Sequence, residues 1–219
     1  MTRNLFRTIK QFTSKGGIEG WFAEKYDKFA KKVLMDEYKR IACSVTEQLK
    51  NGKVLEIGPG PGYISIELSK LGAFQIIGLD ISETMIEIAK RNAKDAGAEL
   101  KFELGDASNM PFEDNTFDFV VSSGSLHHWK KPIKVFNEAC RILNSKGRAL
   151  ICDLRKDISR EEISKLLEKI DSFIMRWGLK HSIKDSYNKE EIIELVSKTK
   201  FKTCQVKENP IDLEIWLKK

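Results

Sequence analysis

The sequence VLEIGPGPGY, residues 54–63, decides the fold class of this 219-residue chain. A short apolar strand, 53–57, runs directly into three alternating glycines, and helical periodicity begins at residue 62. Glycines at Gly58, Gly60 and Gly62 allow a tight turn and a close approach of backbone to a ligand. The stretch is typical of the first strand–loop–helix unit of a doubly wound α/β sheet.

Strands and helices alternate after this unit. We predict further strands at 74–79, 100–104, 117–122 and 149–154, with helices at 62–71, 82–96 and 133–143. Such alternation argues for a parallel sheet covered on both faces. Two late strand-like runs, 201–208 and 211–217, are separated by only Asn209-Pro210, which predicts a hairpin at the sheet edge.

Helical stretches flank this core. Residues 17–50 read as helical up to a break at Asn51-Gly52, and a capping box at Ser159 and Glu162 predicts a helix to about residue 177. A weaker start signal, Asn188 with Glu191, predicts a helix to residue 198. The first 15 residues are basic without an acid, which favours an amphipathic helix packed on the domain over a membrane-surface helix or a presequence.

The composition excludes several classes of protein. Hydrophobic residues make up 41% of the chain without an apolar run long enough for a membrane span. Three histidines without ligand spacing predict no metal site. The four cysteines lie far apart and predict reduced thiols in a cytoplasmic protein, at positions Cys43, Cys140, Cys152 and Cys204.

The net charge of +6 is unevenly placed, because residues 51–129 carry 6 basic and 12 acidic side chains while both flanks are basic. Basic flanks suit a nucleic acid, but scattered solvated lysines explain the same count and are favoured here. An acidic middle suits a cationic ligand.

The glycine loop is poorly suited to a diphosphate. Pro59 and Pro61 remove two backbone N–H donors, and phosphate cradles depend on such donors. Tyr63 stands where a dinucleotide-binding loop needs a small residue, and the Gly-Lys-Ser/Thr of a nucleotide triphosphate loop is absent. The loop therefore predicts a different ligand.

Carboxylates follow the first three strands. Glu56 would repel a phosphate and favour an ammonium or sulfonium group. Asp80 can accept both hydroxyls of a ribose, and Asp106 with the Ala107 N–H can bind the edge of an adenine. Adenosine joined to a cationic amino acid fits this set. Each acid also has a structural interpretation: Glu56 as a buried acid, Asp80 as a helix cap and Asp106 as a turn residue.

Residues 54–153 resemble class I S-adenosylmethionine-dependent methyltransferases, especially the broad group that includes the ubiquinone and menaquinone methyltransferases. The resemblance lies in ordered motifs: EIGPGPG, GLDIS, GDA, MPFEDNTFD, SLHHW and RILNSKGRALI. It implies a doubly wound, seven-stranded Rossmann-like sheet, mostly parallel, with the last strand antiparallel. Residues 144–147, Asn-Ser-Lys-Gly, depart from the Lys-Pro-Gly-Gly turn common in the family.

The resemblance also implies a cofactor site for S-adenosylmethionine. Glu56 and the backbone of Gly58 and Gly60 would hold the methionine part, with the backbone near Ser122 beside its amino group. The remaining parts follow from the other motifs: Asp80 for the ribose, Ile81 for the adenine face, Asp106 and Ala107 for the adenine edge, Gly62 in the loop, and Tyr26 reaching in from the N-terminal helices.

The expected organisation is one domain, 1–219. It comprises a helical N-terminal cap, 1–50, a cofactor-binding core, 53–153, a helical insertion or lid, 155–190, and an edge hairpin, 200–217. The lid and cap are the natural cover of an acceptor pocket.

The expected reaction is in-line methyl transfer to a small organic acceptor, leaving S-adenosylhomocysteine. Motifs of DNA-amino, cytosine-5 and protein arginine methyltransferases are missing. His127 and His128 follow the fourth strand, near the expected methyl group, as candidate general bases, or else they orient the loop. An RNA or protein acceptor, a non-catalytic cofactor-binding module and a nicotinamide oxidoreductase remain as alternatives, and the sequence leaves the oligomeric state open.

Overall fold

The computed structural model describes residues 17–219, so the amphipathic helix predicted for the first 15 residues lies outside the described part. The sheet has seven strands: β1 Asn51–Ile57, β2 Ala73–Asp80, β3 Lys101–Leu104, β4 Phe117–Ser123, β5 Leu143–Leu154, β6 Thr203–Glu208 and β7 Asp212–Lys218. They lie in the order β3-β2-β1-β4-β5-β7-β6.

The pairing of the strands is mostly parallel. Strand β1 runs parallel to β2 and β4, with Glu56 opposite Gly78 on one side and Val121 on the other. Strand β7 is antiparallel to both of its neighbours, β5 and β6. The predicted seven-stranded sheet with an antiparallel last strand is therefore confirmed. Strands β2 and β3 lie on one side of β1, and β4 and the later strands lie on its other side. The carboxyl ends of β1 and β4 therefore border the crevice where such sheets bind ligands.

Eight helices of the described part accompany the sheet: α1 Gly20–Val33, α2 Met35–Gln48, α3 Tyr63–Leu71, α4 Glu83–Asp95, α5 Pro132–Ile142, α6 Arg160–Glu168, α7 Phe173–Asp185 and α8 Lys189–Ser197. Side chains alternate along β1, so Val54 packs in the core beneath α2, α3 and α4, while Leu55 packs in the core beneath α5 and α8. Both faces of the sheet are thus covered.

Strands β1 and β5 begin two or more residues earlier than expected. The predicted break at Asn51-Gly52 is wrong, because both residues already pair with β2 and the Asp118 carboxylate accepts the Lys53 N–H at 2.8 Å. The predicted turn at 144–147 lies within the range of β5. There the register with β4 jumps between Leu143 and Arg148, so these residues form a bulge.

The helix predicted from Ser159 to about residue 177 is two helices. Ser159 does cap α6, accepting the Glu162 N–H at 3.2 Å, but the Ser172 hydroxyl accepts the Met175 N–H at 3.5 Å and starts α7. A serine inside a helical pattern offers the backbone this competing bond. By contrast, Asn188 and Glu191 form a complete capping box at α8. Across residues 17–219 no helix is both long and apolar enough to cross a membrane.

Candidate active site

A cavity of about 1100 Å³ lies over the carboxyl ends of the central strands. Its floor comes from the β1–α3 loop and from the ends of β2, β4 and β5. Helix α1 forms one wall and the α6–α7 segment forms the other. The cavity therefore lies at the point where the strand order reverses, between elements far apart in sequence.

The floor loop, residues 58–62, has no amide donor left for a ligand. Pro59 and Pro61 lack an N–H. The other three donors bond within the chain: Gly58 N to Leu79 O at 2.9 Å, Gly60 N to Asp80 Oδ2 at 3.0 Å and Gly62 N to Pro59 O at 2.9 Å. A pyrophosphate, which such loops bind through free N–H groups, has no cradle here.

Two glycines of the loop have different roles. At Gly58, with φ of 65°, a Cβ would lie 2.5 Å from the Ser125 hydroxyl, so the loop and the β4 end touch directly. At Gly62, with φ of 81°, a Cβ would lie 3.0 Å from Ala89 and from the Phe102 ring. Gly62 thus packs α3 against its neighbours and is not among the residues that line the cavity, so its expected place in the cofactor site stays a prediction.

Glu56 is 2% exposed and lines the cavity at the end of β1. Its Oε2 accepts the Ser65 N–H at 3.0 Å and also the Ser65 hydroxyl. Burial, with a smaller contribution from the Asp80 charge, raises the Glu56 pKa to about 8, although the Ser65 bonds oppose the shift. A cation beside this carboxyl would return it to its ionised form.

Asp80 ends β2 and joins the first loop to the second. Its Oδ1 accepts the Ser82 N–H at 2.9 Å and its Oδ2 accepts the Gly60 N–H at 3.0 Å. The cap of α4 is Ser82, whose hydroxyl accepts the Met85 N–H, so Asp80 is not that cap. Burial raises the Asp80 pKa, and the backbone N–H groups oppose this. The carboxylate is buried and still lines the cavity.

The expected adenine side of the site is more open. Ile81 is 38% exposed and lines the cavity next to Gly17. Asp106 is exposed, and its Oδ1 accepts the Ser108 N–H at 2.7 Å, so it shapes the turn while also lining the cavity. Ala107 lines the cavity and packs against the core.

The remaining two expected cofactor residues differ in position. Tyr26 of α1 lines the cavity with its ring beside Gly60. Ser122 does not line the cavity. It is fully buried, and its hydroxyl donates to Ile57 O at 2.7 Å, joining β4 to β1. The cavity is lined by the next residues, 123–125. The expectation concerned the backbone near Ser122, and because residues 123–125 follow it directly in the cavity wall, that expectation stays a prediction.

His127 lies in a single 3₁₀ turn, Leu126–His128, after β4. Its backbone N–H donates to Asp153 Oδ2 at 2.9 Å, and its ring Nδ1 lies 2.7 Å from Asp153 Oδ1. Both side chains are 4% exposed. Burial lowers the His127 pKa, but the Asp153 charge and hydrogen bond outweigh it, and the pKa rises above its ordinary value.

His128 lies next to His127 in the cavity. The two imidazole rings are 4.0 Å apart, and burial together with His127 lowers the His128 pKa to about 4. Helix α7 adds His181 and Asp185, joined at 2.9 Å. All three histidines of the chain therefore meet at one end of the cavity.

Sequence reasoning did not single out Asp153, His181 or Asp185. One signal was present: Asp153 follows apolar residues near the end of β5, as Asp80 does at the end of β2. Despite these acids and imidazoles, the described residues contain no group of side chains arranged to hold a metal ion.

The cavity fits a positively charged nucleoside. It presents two buried carboxyls, Glu56 and Asp80, beside a loop whose N–H groups are all engaged. The loop offers a pyrophosphate no N–H donor, and the carboxyls suit an ammonium group and a ribose diol. Together with the sheet order, they define the class I S-adenosylmethionine-dependent methyltransferases.

Comparison with known proteins supports the same class of protein. A family model described as a methyltransferase domain matches residues 48–208, and the chain belongs to this family. The demethylmenaquinone methyltransferase of Thermotoga maritima is 33% identical over 137 residues, covering 60% of this chain and 58% of that protein. The chain spans only 40%, 58% and 24% of the lengths of three such curated relatives.

Solved structures share the fold. A Methanococcus maripaludis protein, described provisionally as an S-adenosyl-L-methionine-dependent methyltransferase, is 28% identical with a TM-score of 0.75, covering 90% of this chain and 91% of that one. The plantazolicin methyltransferase BamL, in complex with a triazolic desmethylPZN analog and SAH, is 16% identical with a TM-score of 0.75, covering 97% of this chain and 94% of that one. At that identity the likeness concerns the fold alone.

Proposed function

We propose that this chain transfers a methyl group from S-adenosylmethionine to a small organic acceptor. The observation that carries the proposal is the floor loop with every N–H engaged, set between the buried carboxyls of Glu56 and Asp80. The cofactor supplies an already activated sulfonium methyl group. The protein then has to align the acceptor with that group and exclude water.

We assign the cofactor contacts by chemistry. Glu56 and the carbonyl groups of the loop accept from the ammonium, and Asp80 accepts from the ribose hydroxyls. The adenine lies between Ile81 and the turn of Asp106 and Ala107. Tyr26 closes the site from α1 as part of the N-terminal cap.

The nature of the walls supports a small organic acceptor. Helices α1, α6 and α7 contribute apolar side chains to the cavity, among them Phe22, Phe29, Leu166, Met175 and Leu179. The polar part is acidic, which disfavours the polyanionic backbone of RNA. The Thermotoga maritima relative is a demethylmenaquinone methyltransferase, which agrees with an acceptor of this kind.

Titration calorimetry with S-adenosylhomocysteine tests the cofactor assignment. We expect Asp80→Ala to weaken binding by about 1.5–3 kcal/mol, the effect of losing hydrogen bonds to a charged group. Asp80→Asn, which keeps the shape of the loop, should weaken binding in the same direction. Asp95→Ala, which removes an exposed carboxylate at the end of α4, is the matched control and should bind normally.

Two outcomes would overturn the proposal: wild-type protein that does not bind S-adenosylhomocysteine, or protein that binds NADH in its place. Unchanged affinity in both Asp80 variants would remove Asp80 from the site while leaving the class of ligand intact.

A further inference from the structure

Asp153 holds the His127 ring in one orientation and one tautomer. The Asp153 carboxylate receives the His127 backbone N–H at 2.9 Å and the Leu154 N–H at 2.7 Å. A carboxylate with these donors accepts hydrogen bonds and has none to give. The ring proton of neutral His127 therefore lies on Nδ1, facing Asp153, and the lone pair lies on Nε2.

Nε2 of His127 is the buried polar side-chain atom that has no hydrogen-bond partner among residues 17–219. Leaving a buried polar group without a partner costs about 1–3 kcal/mol, so such a group calls for an explanation. His127 lines the cavity at the acceptor end, between the β4 and β5 ends and helix α7. A bound acceptor in the cavity is the partner that explains it.

Other titratable groups surround this pair. His128 shares its turn, His181 and Asp185 face it from α7, and Tyr26 and Tyr187 lie near Asp153. Of the two adjacent histidines, His128 is the weaker base, since burial and His127 lower its pKa to about 4. His127 is the stronger base and is the one positioned by a carboxylate.

The cavity that His127 lines also has an apolar wall. Phe22, Ile170 and Met175 form a cluster that joins α1 to the α6–α7 segment, and Phe29 and Leu179 pack against it. All five of these residues line the cavity. This wall suits an acceptor with an apolar body.

Building on the proposed function, we propose that His127 accepts the proton of the methyl acceptor and that Asp153 positions His127. The acceptor class follows: a small, apolar molecule whose reacting oxygen or nitrogen carries a hydrogen.

In this step the reacting atom gives its hydrogen, as a proton, to Nε2 of His127. Its electron pair forms the new bond to the methyl carbon, and the methyl–sulfur bond breaks with its pair left on sulfur, so that the sulfonium becomes a thioether. His127 is left as an imidazolium, whose charge Asp153 balances. Release of the proton to water restores the neutral ring.

Nitrogen-15 NMR of the histidine rings in the full chain tests the pair without any turnover. We expect His127, assigned by its loss in His127→Gln, to carry its proton on Nδ1 and to titrate above its ordinary pKa. Asp153→Asn should lower that pKa, because it removes the balancing charge. A proton on Nε2, or a pKa that Asp153→Asn leaves unchanged, would overturn the positioning role.

Transfer of a labelled methyl group to a naphthol tests the acceptor class, with methoxynaphthalene as the matched probe that lacks the hydrogen. We expect methylation of the naphthol alone. His127→Gln and His127→Asn should lower kcat by about 10²–10⁴-fold, the usual contribution of general base catalysis. Both variants should keep the wild-type affinity for S-adenosylhomocysteine, and the exposed variant Lys180→Gln should keep the wild-type kcat.

The outcomes separate the two proposals. Absence of S-adenosylhomocysteine binding defeats the proposed function itself. Normal binding with no methylation of the naphthol, or equal turnover in wild type and both His127 variants, overturns the inference drawn here and leaves the proposed function standing.

Discussion

At the scale of single residues, the site contains a buried carboxyl, Glu56, whose ionised form is disfavoured unless a cation lies beside it. Glu56 lies in the centre of the sheet, 2% exposed, with a pKa raised to about 8 chiefly by burial. Its ordinary value is 4.5, so at neutral pH the group holds a proton that an arriving ammonium group would displace. Binding and proton release are therefore coupled at this position.

We predict that the affinity for S-adenosylhomocysteine rises with pH up to about pH 8 and that binding releases protons. Calorimetry in buffers of different ionisation enthalpy measures that release. Glu56→Gln should bind weakly and without proton release, whereas the exposed control Glu87→Gln should behave as wild type. A pH-independent wild-type affinity would contradict the assignment of Glu56.

The same residue carries a stability prediction of defined sign. Because the folded pKa of about 8 exceeds 4.5, the protonated carboxyl favours folding. That contribution is complete below pH 4.5 and is lost as the pH rises through about 8. Glu56→Gln should therefore gain thermal stability over wild type as the pH is raised to 8, by about 2–4 °C per kcal/mol recovered. Equal melting temperatures across this range would contradict the raised pKa.

At the scale of elements, helices α3 and α4 and the α6–α7 wall of the cavity differ in how firmly they are held. Helices α3 and α4 bury most of one face in the core under the sheet. Helix α6 has no buried residue, and α7 buries only Met175 and Ile183. A wall with so few buried contacts opens at low free energy, which suits passage of an acceptor.

We predict that the amides of α6 exchange with solvent faster than those of α8. The two helices are matched, with nine residues each and a side-chain cap at each start, but α8 buries Ile192 and Val196. Hydrogen-exchange mass spectrometry of the ligand-free chain measures the difference. Equal protection of α6 and α8 would show that the α6–α7 wall is as rigid as the core.

At the scale of the whole molecule, the cavity unites segments that are distant in the chain. Its lining runs from Gly17 to Asp212 and includes both helical additions and the ends of the central strands. A ligand bound there contacts elements from both halves of the chain and stabilises the folded state as a unit.

We predict that S-adenosylhomocysteine at 100 times its Kd raises the melting temperature by about 5–11 °C, since such binding contributes about 2.7 kcal/mol. NADH at the same concentration should leave the melting temperature unchanged. A thermal-shift assay makes the comparison directly, and equal shifts with both nucleotides would contradict a site that rejects pyrophosphate.

The sequence by itself determined the sheet, the class of cofactor and several of the carboxylates that line the cavity. Glu56, Asp80 and Asp106 were predictable as neighbours because the carboxyl ends of parallel strands meet at one edge, whatever the details of packing. The shortage of N–H donors in the loop was equally predictable, since Pro59 and Pro61 lack an N–H in any conformation.

Only the tertiary structure decided where individual side chains point. The Ser122 hydroxyl points into the packing between β4 and β1. The helix expected to run from Ser159 divides at Ser172. His127 meets Asp153 across 26 residues of sequence. The physical reason is that periodicity predicts which face of an element is buried. The partner of a polar group at the end of a strand depends on how neighbouring strands and the covering helices are placed in space.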